Sequence, residues 1–582
     1  VTSRIRLVYT MMKEEERKFD DVLIELGEFG RYQIWLYNLL CLFEFIAPWQ
    51  ILVFMFLSGE ADHWCKIPEW DSVDCRSYGF NTSRECALEK REVGIPWDYS
   101  NDSQTEKVYS SCIRYNTSGA DFSPDLDLQE SNTFSCDAGW VYDNQETKER
   151  TVEQDFNLVC GLGYQSALAQ SLFFAGTAAG SLTFGLFSDR YGRHQTLFTC
   201  TTAIIICGTA LSFSVNIWMF MVLRMITGAF TIGMLQSSFV LANEMIGPSK
   251  RAIAGNVIWI HFAVGYMTLS LLAFYVRNWR HLQLIVSLLP TILLIIYVLA
   301  PESPRWLLSK GRVREATKIM RKLGKVNGAE IKETFNLDNV QTDMKVEGGG
   351  DQGVIELLRR PRLRLYTLNL MFQLCVNTVV YYGISMSTDS LGVNKYIAFA
   401  IAGAVEVPAC FCVIRPIEKW GRRPVYIFFM ALCGAAILAT IFIPFGIGRA
   451  AVAMIGKLAI TSSFCIVYLH ACEIIPTPVR VSALGMCTLC SNMSNILAPL
   501  ILLLSKYWYP FPLVIFGCFA FIGAGTAYFL PETRGKKIPE TMEEGENIGW
   551  KAAPRRNSRV VNSSKYSNID YHKAGEEMGD PV

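Results

Sequence analysis

The sequence predicts an all-α membrane protein, with twelve transmembrane helices in two pseudo-symmetric six-helix bundles and a large disulfide-rich extracellular loop. Three observations carry this. Of 582 residues, 51% are apolar and only 18% are charged, whereas soluble domains average about 25% charged. Twelve apolar runs are long enough to cross a hydrocarbon core, which takes about 20 residues of helix. The charged landmarks between those runs recur at a fixed offset along the chain. The same composition excludes other classes. A formal net charge of +1 leaves no basic footprint for nucleic acid. Six histidines without HExxH or paired CxxC spacing give no metal site. No nucleophile–base or phosphate-loop spacing points to an enzyme, and none calls for a cofactor.

Residues 1–32 are charged and lack the apolar stretch of a cleavable signal. They read as a cytoplasmic N-terminus in which Met11 or Met12 is a candidate natural start. The spans fall at 33–57, 163–186, 195–214, 217–242, 252–276, 281–300, 365–387, 395–416, 424–446, 449–470, 481–504 and 511–530. Basic clusters flank them on one side. Arg190 and Arg193 lie in 187–194, Lys250 and Arg251 in 243–251, and Arg359, Arg360, Arg362 and Arg364 in 301–364. The positive-inside rule puts these connections, and with them both termini, in the cytoplasm. Residues 33–300 then form the first six-helix bundle, 301–364 a cytoplasmic helical connection, 365–530 the second bundle and 531–582 a cytoplasmic tail. In the connection, Arg312 to Gly324 reads as a short amphipathic helix and Gly348-Gly349-Gly350 as a flexible break. The tail is polar and without period from residue 541. Its Arg555, Arg556 and Ser558 match a basophilic phosphorylation pattern.

Residues 58–162 differ from every other connection. They hold 21 acidic and 9 basic residues, and a segment this long crosses the membrane regardless of charge. Cys65, Cys75, Cys86, Cys112, Cys136 and Cys160 all lie there. An even number of cysteines in an extracellular segment reads as three disulfides, with the connectivity left open. Asn81, Asn101 and Asn116 begin N-x-S/T glycosylation acceptors. The segment reads as a stapled, glycosylated cap within the first bundle, and its acidity would also concentrate cations at an entrance.

The chain is internally duplicated. Asp189-Arg-Tyr-Gly-Arg193 follows the second span and Glu418-Lys-Trp-Gly-Arg422 follows the eighth, an offset of 229 residues. The same offset relates Glu244 to Glu473 and Arg251 to Arg480, and an offset of 230 relates Pro301-Glu302 to Pro531-Glu532. Parallel repeats of this kind are a device of secondary transporters, whose halves rock about a central site. The repeated acids and bases sit at cytoplasmic span ends. They read either as gating charges that pair when that side closes or as charges that only set topology. Each exposed pair contributes roughly 0–1 kcal/mol, enough in number to bias a two-state equilibrium without locking it.

DRYGR at 189–193, PESPRWLLSKGR at 301–312, EKWGRR at 418–423, EIIPTPVR at 473–480 and PETRG at 531–535 resemble signatures of the major facilitator superfamily. The loop motifs CDAGWVYD at 136–143 and EQDFNLVC at 153–160 narrow the resemblance to the organic cation, organic anion and carnitine transporter family. The resemblance covers about residues 27–540. It implies a multi-pass plasma-membrane carrier working by alternating access.

Ionisable groups inside spans are costly and mark function. Glu406 lies about 18 Å from the cytoplasmic end of its span and Glu44 about 16 Å, at 1.5 Å per residue. Either acid could instead serve structure, at the kinks that Pro408 and Pro48 introduce. Apart from Lys457, on the wall or outer half of the tenth span, no Lys or Arg is expected at comparable depth, which makes the midplane acidic or neutral. By resemblance, EVPA at 406–409 matches the family's eighth-span motif, where cation and carnitine carriers keep an acid. Asn492, about 18 Å deep, is neutral where cation carriers have Asp and many anion and carnitine carriers have Arg. Tyr381 and Tyr382 on the seventh span and Trp259 and Phe262 on the fifth offer faces for a cationic head group, worth roughly 0.5–2 kcal/mol each. The resemblance of VVYYG at 379–383 to the family's seventh-span site favours Tyr381. Gln236 on the fourth span is a further polar candidate.

The expected substrate is a small organic cation, such as an amine or quaternary ammonium ion, carried polyspecifically. A zwitterion of the carnitine or betaine type is the alternative, and a non-transporting receptor or sensor the rival of another class. Na+ and the membrane potential are the candidate driving forces, and the lipid bilayer is the obligate partner.

Overall fold

The computed structural model describes residues 17–548 except 60–61, 74–77, 79, 81, 100–106, 119–120, 129–130, 144–148, 330–336, 338–339, 342–355 and 540. Met11, Met12, Cys75, Asn81, Asn101, the Gly348–Gly350 run and Arg555–Ser558 lie outside the described residues.

Among the described residues, twelve longer helices organise the fold. They are α1 (Arg31–Leu57), α2 (Cys160–Tyr191), α3 (Arg193–Ser212), α4 (Ile217–Glu244), α5 (Arg251–Tyr275) and α6 (Trp279–Leu299), then α7 (Pro361–Met386), α8 (Lys395–Trp420), α9 (Arg422–Phe442), α10 (Ile447–Ile474), α11 (Ser482–Lys506) and α12 (Phe511–Ala527). Among the described residues, ten are long and apolar enough to cross a membrane. α7 spans 26 residues but carries Arg362, Arg364, Asn369, Gln373 and Asn377 along its length. α12 is apolar throughout and 17 residues long. Large apolar side chains face outward from the bundles, Val298 and Phe442 being 84% and 86% exposed. Lipid, not water, satisfies such a surface. The chain is a multi-pass membrane protein.

Close helix approach follows from glycine. In α2, a Cβ on Gly176 would lie 1.9 Å from the Met225 carbonyl oxygen, and one on Gly180 would lie 2.3 Å from that of Ala229. α2 and α4 therefore meet backbone to backbone, as small-xxx-small pairs allow where lipid supplies no hydrophobic drive between helices.

Two large hydrophobic clusters form. One is built chiefly from α1–α6, the other from α7–α12. Several contacts between these halves lie from mid-depth to the loop-bearing side. Phe56 stacks on Tyr396 with ring centres 5.5 Å apart, Ser270 Oγ donates to the Tyr396 carbonyl at 2.5 Å, and Ser171 Oγ donates to the Ile496 carbonyl at 2.9 Å.

The 58–162 segment has a core of its own, in which Trp64, Trp70, Ile95 and Phe122 are buried. Its strands pair as short antiparallel ribbons, His63–Cys65 with Trp140–Tyr142, Trp97–Tyr99 with Lys107–Tyr109, and Ile113–Tyr115 with Thr133–Ser135. Cys65 is bonded to Cys136 and Cys112 to Cys160; Cys86 is also disulfide-bonded. The segment ties back to both halves. Asp155 accepts from Trp279 Nε1 and Arg280 Nε, each at 3.0 Å. Glu149 pairs with Lys395 and accepts from the Tyr396 hydroxyl at 2.6 Å.

Candidate functional site

The second half holds a buried polar cluster built on three helices. Glu406, on α8, meets side chains of α7 and α10. Its Oε1 accepts from the Tyr381 hydroxyl at 2.5 Å and lies 2.9 Å from Lys457 Nζ. The Lys457 ammonium sits 3.5 Å from the centre of the Tyr381 ring and 5.3 Å from that of Tyr266. It also donates to Ser385 Oγ at 2.6 Å, and Ser385 in turn donates to the Tyr381 carbonyl at 2.7 Å. Lys457 is wholly buried and Glu406 nearly so.

This corrects the expectation that the midplane is acidic or neutral and that Lys457 stays on the wall of its span. Lys457 lies ten residues into α10 and Glu406 eleven residues into α8, so the two start at similar depth, and the lysine side chain turns inward to the carboxylate rather than out to the wall. A second buried cation also escaped the sequence reading. Arg224 on α4 is wholly buried, donating to the Gln50 carbonyl at 3.2 Å and to Gln170 Oε1 at 3.0 Å, with its guanidinium 4.4 Å from the Phe173 ring centre. It pairs with no carboxylate among the described residues.

Aromatic rings extend the cluster across the two halves. Phe464 on α10 lies 6.0 Å from Tyr381 and 6.2 Å from Trp259 of α5, so three rings bridge α5, α10 and α7. Phe262 packs 5.9 Å from Trp259 and is buried in the first core. Tyr382 stands at 89° to Tyr381 and contacts Phe174 of α2 at 5.0 Å. Of the residues singled out from sequence, the structure thus brings together Glu406, Tyr381, Tyr382, Trp259 and Phe262. Tyr266, Ser385 and Phe464 belong with them and were missed, because nothing in their spacing sets them apart from packing residues.

Among the described residues, no hydrogen bond, ion pair or ring contact joins the others to this cluster. Glu44 is buried on α1 and accepts from Ser238 Oγ of α4 at 2.7 Å. Gln236 is half-buried on α4. Asn492 is buried on α11, and its amide nitrogen has no hydrogen-bond acceptor among the described residues.

At the ends away from the cap, the duplicated charges form matched sets. Glu302 Oε1 accepts from the backbone N–H groups of Arg193 and His194 at 3.0 and 3.1 Å. Glu532 accepts from those of Arg422 and Arg423, each at 3.0 Å. Each carboxylate thereby caps the N-terminus of a span, where helix dipole and free N–H groups favour an anion. The preceding Gly192 and Gly421 take φ of 109° and 99°, open only to glycine, and a Cβ there would strike the carboxylate. Arg193 pairs with Asp189 at 3.0 Å and Glu244 at 3.4 Å, and Arg422 with Glu473 at 2.9 Å. These pairs join helices within one half. The symmetry is incomplete: Asp189 pairs with Arg193 while Glu418 forms no ion pair with Arg422 among the described residues, and the last pair of arginines diverges as well. Arg251 binds Asp20, at 2.6 Å, which also holds Arg305 at 2.8 Å. Arg480 donates to the Ile475 carbonyl at 3.2 Å and to Thr477 Oγ1 at 3.1 Å. Glu418 is exposed.

Comparison with known proteins gives the frame for this geometry. The profile of the Sugar (and other) transporter family matches residues 127–544. An organic cation transporter protein of Drosophila melanogaster is 35% identical over 570 residues, covering 96% of this chain and 100% of that one. Solute carrier family 22 member 3 of Mus musculus is 33% identical over 543 residues, 91% of this chain and 96% of its own length. Among solved structures, the inward-open xylose transporter XylE from E. coli superposes with a TM-score of 0.53 at 17% identity, over 66% of this chain and 92% of that one. That likeness is one of fold, the major facilitator fold.

Proposed function

The chain belongs to the Sugar (and other) transporter family, within the organic cation, organic anion and carnitine transporter branch of the major facilitator superfamily, and we propose that it carries small organic cations across the plasma membrane. Membership makes it a carrier and not an enzyme. In this reading α7 and α12 also cross the bilayer, giving twelve spans in two bundles at 33–300 and 365–530. Both termini are cytoplasmic, and 58–162 is an extracellular cap with three disulfides and glycans at Asn81, Asn101 and Asn116. Substrates of varied shape are accepted, and the halves rock about the buried cluster in alternating access.

The observation that carries the proposal is the seat formed by Glu406 and the Tyr381 ring. The group already resting in it is an ammonium, that of Lys457, 2.9 Å from the carboxylate and 3.5 Å from the ring centre. A substrate ammonium meets the same chemistry there. Coulomb attraction at 4 Å and an effective dielectric of 20 is about 4 kcal/mol before desolvation, of which only part survives as affinity. Trp259 and Phe464 would cover the rest of the head group, while Tyr382, Phe262, Asn492, Glu44 and Gln236 shape the surrounding walls. The within-half sets on Asp189, Arg193, Glu244, Glu302, Arg422, Glu473 and Glu532 stiffen each bundle, Glu418 contributes only a charge at its span end, and Arg251 and Arg480 tune the gate. The test is uptake into proteoliposomes with a panel of amines, quaternary ammonium ions, zwitterions and carboxylates. Uptake of carboxylates alone would remove the proposal.

One observation favours a second reading, a zwitterion of the carnitine or betaine type. A lone cation that takes Glu406 leaves Lys457 buried without its carboxylate, a costly arrangement. A zwitterion leaves both charges paired, and the unused amide nitrogen of Asn492 offers a further donor to its carboxylate. Sodium dependence and current per substrate distinguish the two, since a neutral zwitterion carries current only with a coupled ion.

A further inference from the structure

One half-buried pair of side chains takes no part in the ion-paired cluster. Cys410 of α8 and Cys465 of α10 bring their sulfurs to 3.8 Å. Both are half-buried free thiols. Ser462, one turn before Cys465, donates to the carbonyl of Ala409, the residue before Cys410, at 3.3 Å. That contact holds the two helices in register where the thiols meet. Cys410 lies four residues from Glu406, hence on the same helix face one turn away, and Cys465 follows Phe464 of the aromatic bridge.

The chemistry such a pair can do is narrow. A disulfide needs the sulfurs at about 2.05 Å, well inside their present separation, together with an oxidant. A structural zinc needs four ligands, and no group of three His, Cys, Asp or Glu able to hold a metal occurs among the described residues. Two thiols in contact suit a soft centre that requires only two sulfurs from the protein.

We propose that Cys410 and Cys465 form a dithiol site for trivalent arsenicals, and that occupancy staples α8 to α10 one turn from Glu406 and stops transport. The step balances without electron transfer. An organoarsenic(III) oxide reacts with two S–H groups, two As–S bonds form, and the oxide oxygen leaves as water with both thiol protons. Arsenic stays trivalent and keeps its organic group. The transport clause rests on the carrier reading above, whereas the binding clause does not.

The experiment uses the full chain, reduced, in proteoliposomes, with phenylarsine oxide as the probe. Twelve free cysteines are present among the described residues, so the assignment is made by difference. Intact mass should show one bound phenylarsenical fewer in Cys410→Ser and in Cys465→Ser than in the parent. Uptake by either variant should resist at least tenfold more reagent. In the unmodified chain, pretreatment should shield both thiols from maleimide in a peptide map, and 2,3-dimercaptopropanol should reverse the block. Equal arsenical loading of parent and both variants, or unshielded Cys410 and Cys465, overturns the site. Loading at these thiols with undiminished uptake overturns the staple while leaving the carrier reading intact. A chain that binds the arsenical here but moves no compound of the panel overturns the carrier reading and with it the transport clause.

Discussion

Lys457 and Glu406 form a buried ion pair, 2.9 Å apart, between α10 and α8. Both charges are out of water, so each depends on the other, and breaking such a pair from one side commonly costs about 3–5 kcal/mol. The pair makes the seat net neutral. Any substrate that takes Glu406 must answer for Lys457.

Glu406→Gln keeps the shape and removes the charge. Uptake of a permanent cation is expected to fall at least tenfold, about 1.4 kcal/mol, at matched surface expression. Lys457→Gln should act in the opposite sense on cations, raising their affinity, and should abolish preference for zwitterions. Near-parental cation uptake by the Glu406→Gln variant, correctly folded, would leave Glu406 as a structural residue.

Glu302→Ala should destabilise the first half. The substitution uncovers two span-terminal N–H groups and removes charge-assisted hydrogen bonds worth roughly 1.5–3 kcal/mol. Glu532→Ala should do the same to the second half. Thermal unfolding in detergent reads both, and an unchanged midpoint in either variant argues against the cap.

Acid should loosen these ends. Burial alone would raise the Asp20 carboxyl, but hydrogen bonds and charge from Arg251 and Arg305 outweigh it and hold it below the ordinary 3.8. Glu532 likewise sits below 4.5, burial being outweighed by the N–H groups of Arg534, Arg422 and Arg423. A depressed folded value means the stabilisation is complete above the unfolded value and is lost as pH falls through the folded one. Hydrogen exchange in the Phe19–Glu25 helix and around Arg422 should therefore quicken below about pH 4, and Asp20→Asn should abolish the effect for the helix. Arg251→Ala should free this helix at neutral pH and slow uptake more than Arg480→Ala does.

The Cys65–Cys136 and Cys112–Cys160 bonds close 71- and 48-residue separations in the cap. By loop-closure entropy each contributes about 4 kcal/mol. Cys65→Ser or Cys112→Ser should make the cap protease-sensitive and expose the remaining partner to maleimide without reductant. Resistance of both variants would show that the cap core suffices alone.

Much of this architecture is legible in the chain because it depends on patterns a helix imposes. Ten of the span positions follow from runs of apolar residues, and the duplication is visible as Glu302 against Glu532. What these residues touch is less visible. Glu302 and Glu532 proved to be helix caps, a contact made across about 110 residues. Asp20 stood in a segment read only as a charged terminus, yet it anchors two arginines. Lys457 was read as a wall residue because nothing in its spacing shows that its side chain turns inward to Glu406. Ser385, Tyr266 and Phe464 were lost among residues of the same type that only pack.

The contact of Glu149 with Lys395 and Tyr396 gives the outside of the molecule leverage over its interior. The same stretch of cap is moored to the first half through Asp155, so parting the halves on that side must pull Glu149 from α8. A bulky reagent that grips the cap and the start of α8 together, such as an antibody fragment, would then act as a brake while touching nothing in the buried seat. Its signature is noncompetitive inhibition that Glu149→Gln leaves in place, since the grip replaces the bond. Full uptake with the fragment bound across both surfaces would mean the cap rides free of the cycle.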